Sequence, residues 1–133
     1  MTRSLKDRQF MELAVKEMFK SQSEHTDKFD PLVGAVIVDS VGRVLEKTHR
    51  GGLRVGNHAE FALIERLLRS TKLDGTTLYV TLEPCTELTR KPPKKPCLEW
   101  IVGARIKRVV VGMTDPNPSV SGRGIRYLHK HRI

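Results

Sequence analysis

The feature that most constrains the fold is a set of three short apolar stretches, at residues 33–38, 77–82 and 107–112. Each is too short for a typical helix and carries several β-branched side chains, so each reads as a buried strand. Helical patterns separate them. Met11, Ala14, Val15, Met18 and Phe19 recur at i, i+3, i+4, i+7 and i+8, which predicts an amphipathic helix over residues 5–19. Asp39, Ser40, Val41 and Gly42 form a hairpin-like turn into a shorter partner strand at 43–48. Asn57 is a good N-cap for a helix beginning at His58, with Ala59, Leu63, Leu67 and Ile64, Leu68 as its apolar stripes. Residues 98–104 and 125–129 read as two further short helices. Strands alternating with helices after an opening hairpin imply an α/β domain with helices on both faces of the sheet. In such folds ligands gather beyond the carboxyl ends of strands and at helix N-termini.

A single domain spanning residues 1–133 accommodates this pattern, since compact domains usually hold about 100–150 residues. With 38% hydrophobic and 29% charged residues, the composition excludes disordered, collagenous and low-complexity classes. No apolar run approaches the roughly 18–20 residues of a membrane helix, and the opening residues carry no apolar leader. A cytoplasmic protein with no membrane partner is therefore expected. Two cysteines are too few for a disulfide scaffold, and in a reducing compartment such a pair more often binds metal or does chemistry. The net charge of +9 is unevenly placed: residues 1–89 hold 13 Lys/Arg and 13 Asp/Glu, residues 90–133 hold 11 and 2. That asymmetry fits a surface for phosphate groups, on a nucleotide or a nucleic acid, or an ordinary solvated basic face.

The informative residues fall where α/β folds collect ligands. His58 and Glu60 open a helix, Cys85 follows a strand, and Cys97 opens another helix. One imidazole and two thiolates make a three-ligand zinc site, and catalytic zinc keeps its fourth position for water. A structural site would want a fourth protein ligand, and His25, His49, His129 and His131 show no matching spacing. Zinc lowers the pKa of bound water toward about 7, while a leaving amine still needs a proton. Glu60, two residues beyond His58, is placed to carry that proton. Glu60 also lies three residues after Asn57 and could close a capping box, and each cysteine taken alone could be a small buried hydrophobe. Their co-occurrence at strand and helix ends favours the metal reading.

His58-Ala59-Glu60, Pro84-Cys85 and Cys97 together resemble the zinc-dependent cytidine deaminase superfamily, in which the glutamate is not a metal ligand. With residues 33–38, 78–85, Pro92-Pro93 and Asp115-Pro116-Asn117-Pro118, the chain is similar over roughly residues 5–133 to the pyrimidine deaminase domain of riboflavin biosynthesis. The resemblance implies a three-layer α/β/α sandwich with a mixed central sheet, a Zn²⁺ cofactor held by His58, Cys85 and Cys97, and Glu60 as proton shuttle. It also implies a base pocket lined by Asp30, Asn57 and His49, an aminopyrimidine nucleotide as substrate, and a homo-oligomer. Glu83 is expected to fix loop backbone.

Departures from that family fall around the pocket. Thr86-Glu87-Leu88 follows Cys85 in place of a serine and histidines, and eleven residues rather than eight separate the cysteines. Asp30 stands where the family carries an asparagine, exchanging an amide for an acceptor-only carboxylate when ionised. Residues 1–133 hold no reductase domain, and in the resembling families a further strand begins where residues 131–133 stop, so a domain cut from a longer chain is expected. The loop at residues 90–96, basic and proline-stiffened, is either a phosphate clamp or a solvated connector. Two other functions therefore stand beside the metabolic one: a deaminase of cytosine or adenine in single-stranded DNA or RNA reached through the basic last third, and a non-catalytic zinc-stabilised sensing or interaction module.

Overall fold

The computed structural model describes residues 2–23, 31–52, 58–86 and 95–133. Among the described residues four strands form one mixed sheet: β1 (Gly34–Val38), β2 (Val44–His49), β3 (Thr77–Leu82) and β4 (Arg108–Met113), in the order β2-β1-β3-β4. β1 runs antiparallel to both β2 and β3, and β3 runs parallel to β4 with Leu78 opposite Val109 and Val80 opposite Val111. The parallel pair needs a crossover, and α3 (Cys97–Gly103) lies within it. The remaining α-helices among the described residues are α1 (Arg3–Met18), α2 (Ala59–Phe61) and α4 (Arg123–Lys130). Among the described residues no helix is long and apolar enough to cross a membrane.

Strand alternation divides the core between two faces. Ala35, Ile37, Leu78 and Val80 point to one side, where they pack with Ala59, Leu63, Leu98, Ile101 and Leu128 from the later helices. Val36, Val38 and Tyr79 point to the other, against Ala14 of α1. The approach of α1 is close enough that a Cβ on Gly34 would overlap the Ala14 carbonyl oxygen. The α1 face is also pinned by charge. Arg108 grips both oxygens of Asp7 at 2.8 and 2.6 Å, and the Tyr79 hydroxyl donates to the same carboxylate at 2.6 Å.

Strand and helix positions match the sequence reading closely, with three corrections: β4, expected as a buried strand, is only half-buried and ends exposed at Met113, and two lie around the helix that opens at residue 58. The N-cap is His58 in extended conformation, without a side-chain cap bond; Asn57 lies outside the described residues. After one α-helical turn the chain widens into a π-helix at Ala62–Leu67, with Leu68 N–H donating to the Leu63 carbonyl at 2.8 Å. The wider turn buries Ala62, Leu63 and Ile64 together, whereas Leu67, expected inside, is 40% exposed. A regular 3.6-residue period would have put Leu67 in line with Leu63; the i→i+5 bonding rotates it outward.

Candidate active site

Three elements deliver the candidate metal donors to one point. β3 ends at Leu82 and hands the chain through Glu83-Pro84 to Cys85; α3 opens with Cys97; His58 caps α2. His58 Nδ1 lies 3.2 Å from Cys97 Sγ and 3.6 Å from Cys85 Sγ, and all three ligand atoms fall within 4.8 Å of one another. An ion with Zn–N near 2.0 Å and Zn–S near 2.3 Å in tetrahedral geometry needs donor separations of roughly 3.5–3.8 Å. The donor set and its spacing fit zinc. No fourth His, Cys, Asp or Glu joins this cluster among the described residues, which leaves one tetrahedral position for a water or substrate atom.

Local electrostatics suit a thiolate at this point. The Cys97 backbone N–H, at the start of α3, donates to Cys85 Sγ at 3.1 Å. Contact with the Cys97 side chain is the main cause holding the Cys85 thiol down at about 4; burial opposes it, and His58 adds to the lowering. Glu60 sits one residue inside α2 and is 4% exposed. Burial raises its carboxyl above the usual range, the negative charge at Cys85 adds to this, and the neighbouring His58 and Arg50 pull the other way. No described side chain hydrogen-bonds its carboxylate, and the capping-box partner Asn57 lies outside the described residues.

Glu83 is the fastener under Cys85. Its two oxygens accept backbone N–H bonds from Asp115 (3.1 Å), Gly122 (2.9 Å), Gly124 (2.7 Å) and Ile125 (3.2 Å). A single carboxylate thereby ties the segment after β4 and the first turn of α4 to the strand end that carries Cys85, and those donors hold its carboxyl below the usual range against burial. The loop-fixing role expected of Glu83 is what these bonds perform.

The sequence-predicted base-pocket residues divide. Asp30 and Asn57 lie outside the described residues, as do residues 90–94 of the basic loop. His49 ends β2 with its Nδ1 3.2 Å from Glu17 Oε1, and Glu17, itself buried, is held from the other side by Lys20 at 2.7 Å. Two residues escaped the sequence reading: Glu17, which orients His49, and Arg50, whose Nη2 lies 2.7 Å from His58 Nε2. Glu17 carried a weak signal, a charge at the end of a helix otherwise read by its apolar stripe. Arg50 carried only its adjacency to His49. The exposed cations Arg123, Arg126, Lys130 and Arg132 lie on or just after α4, and Trp100 is occupied by Phe61 edge-on at 5.4 Å and Lys95 at 4.8 Å.

Residues 4–113 match the family model described as the cytidine and deoxycytidylate deaminase zinc-binding region. The chain belongs to that family. It is a zinc-dependent deaminase, with the cytidine deaminase fold. It is 38% identical to the diaminohydroxyphosphoribosylamino-pyrimidine deaminase of Buchnera aphidicola subsp. Schizaphis graminum, over 97% of this chain and 82% of that protein. It is 39% identical to the riboflavin biosynthesis protein RibD of Aquifex aeolicus, over 96% of this chain and 33% of that one. Among solved structures, the deaminase/reductase of Thermotoga maritima superposes with a TM-score of 0.79 at 34% identity, over 99% of this chain and 36% of that one. The chain thus spans about a third of the length of these two larger proteins.

Proposed function

We propose that this domain hydrolytically deaminates an aminopyrimidine nucleotide of the riboflavin pathway, with His58 Nδ1, Cys85 and Cys97 holding zinc and Glu60 moving the proton. The observation that carries the reading is the buried Glu60 carboxylate beside a three-donor cluster that leaves one coordination position open. Zinc, when bound there, supplies a water acidic enough to serve as nucleophile near neutral pH. Glu60 takes the proton from the incoming water and delivers it to the nitrogen that departs as ammonia, so the leaving group is an amine and not an amide anion. At 4% exposure Glu60 is itself shielded from bulk water that would compete for the same proton.

His49 is the pocket residue we assign to the base, held in one orientation by Glu17. The substrate class is supported by the named relatives, which are pyrimidine deaminases of riboflavin biosynthesis. The nucleic-acid and non-catalytic readings are not favoured: the named relatives are metabolic enzymes, and an intact Glu60 is unnecessary to a structural site. We also propose that residues 1–133 act as one deaminase domain in the cytoplasm, where two cysteines outside any disulfide stay reduced, and that it self-associates. β4 supports the last point, since it ends the sheet with one side unpaired among the described residues.

The test is to incubate zinc-loaded protein with diaminohydroxyphosphoribosylaminopyrimidine, cytidine nucleotides and single-stranded oligonucleotides, following the mass gain of about one dalton as NH₂ becomes OH. Conversion of the riboflavin-pathway nucleotide is expected. Conversion of oligonucleotides alone would overturn the assignment.

A further inference from the structure

Arg50 follows β2 and lies against the outer edge of the His58 ring. Its backbone N–H donates to the Val33 carbonyl at 2.9 Å, Nη1 donates to the Pro31 carbonyl at 3.1 Å, and Nη2 lies 2.7 Å from His58 Nε2. A guanidinium has donors only and stays protonated in proteins, so Nη2 donates and Nε2 accepts. The hydrogen of the neutral ring is then on Nδ1, facing the two sulfurs at 3.2 and 3.6 Å. That arrangement is self-consistent for a metal-free ring.

It is inconsistent with a metal-bound one. A cation held through Nδ1 uses the lone pair there and leaves the ring hydrogen on Nε2. Two donors would then face each other across 2.7 Å. A metal-ligating histidine ordinarily gives its second N–H to a carboxylate, a carbonyl or water, and here a donor-only cation stands in that place. The guanidinium has a second use within reach. Its tether to Pro31 keeps it beside His58, its charge is felt by Glu60, and no described carboxylate pairs with it. A planar fork that no described carboxylate pairs with matches an oxyanion.

We infer that Arg50 couples metal and ligand: filling the His58–Cys85–Cys97 cluster drives the guanidinium off His58 Nε2, and its freed donors take a phosphate-type oxyanion of the ligand. This rests on the metal-ligand set proposed above. Because coupling between two bound species is reciprocal, an oxyanion that holds Arg50 away from His58 tightens zinc by the same factor that zinc tightens the oxyanion.

The experiment measures zinc affinity by chelator competition with and without sulfate at fixed ionic strength, and sulfate affinity in zinc-loaded and metal-free protein by calorimetry. In the natural protein both ratios are expected to be about tenfold and equal. Arg50→Gln, whose amide oxygen can accept the Nε2 hydrogen, binds zinc more tightly without sulfate and loses the sulfate response. Arg50→Lys keeps a charged donor and keeps part of that response, which separates the effect from misfolding. Zinc binding that depends on Cys97 but ignores sulfate in the natural protein, or an equal sulfate response in Arg50→Gln, overturns the coupling alone. Failure to bind zinc at all overturns the ligand set with it.

Discussion

Two carboxylates on opposite faces of the same sheet are treated in opposite ways. Asp7, on the α1 face, receives both arms of Arg108 and the Tyr79 hydroxyl, and these bonds hold its carboxyl down at about 2 against partial burial. The same contact, with burial as the larger cause, pushes Tyr79 up to about 12. Glu60, on the other face, is more deeply buried, has no described side chain hydrogen-bonded to its carboxylate, and is raised by that burial. A fold seeking only stability would satisfy both. The difference teaches that one face is organised to hold and the other to react, and that a buried, under-bonded carboxylate beside a donor cluster is a stronger functional sign than charge alone.

The comparison breaks most visibly at the metal donors. Cys97→Ala removes one of three converging ligand atoms, and stoichiometric zinc retention after dialysis and ammonia release should both be lost. On the holding face, Gly34→Ala forces a Cβ into the Ala14 carbonyl and should cost about 4 kcal/mol in urea unfolding, because backbone rather than a flexible side chain stands in the way. Glu83→Ala strips an acceptor from backbone donors at Asp115, Gly122, Gly124 and Ile125; about 3 kcal/mol is expected, together with weaker zinc retention because Cys85 lies two residues away.

Asp7→Asn sharpens the contrast with the smallest effect, about 2 kcal/mol, since the pair is partly exposed. A carboxyl held below its unfolded value near 3.9 contributes stability above that pH and loses it as pH falls toward the folded value of about 2. Melting curves between pH 5 and pH 2 should therefore fall less steeply for Asp7→Asn than for the natural protein, with turnover at neutral pH unchanged.

Much of this was readable from residue order. His58, Glu60, Cys85 and Cys97 are legible because strand ends and helix starts are local events, and three apolar runs announce β1, β3 and β4 without any tertiary information. The π-helix after Phe61 was not legible, since its stripe of Leu63, Ile64, Leu67 and Leu68 satisfies a 3.6-residue period equally well on paper. Glu17 and Arg50 escaped for a different reason. Their meaning comes from α1 and the end of β2 meeting His49 and His58 across the fold, and no local spacing encodes such a meeting.

The most direct test of the whole account is one paired measurement on Glu60→Gln: zinc content and melting temperature beside the rate of ammonia release from the riboflavin-pathway aminopyrimidine nucleotide. A group that moves protons should leave zinc content and melting temperature intact, or raise the latter by relieving a buried acid, while the rate falls by about 10²–10⁴-fold. A variant that keeps its turnover but melts earlier would make Glu60 a helix-terminal support and would contradict the account.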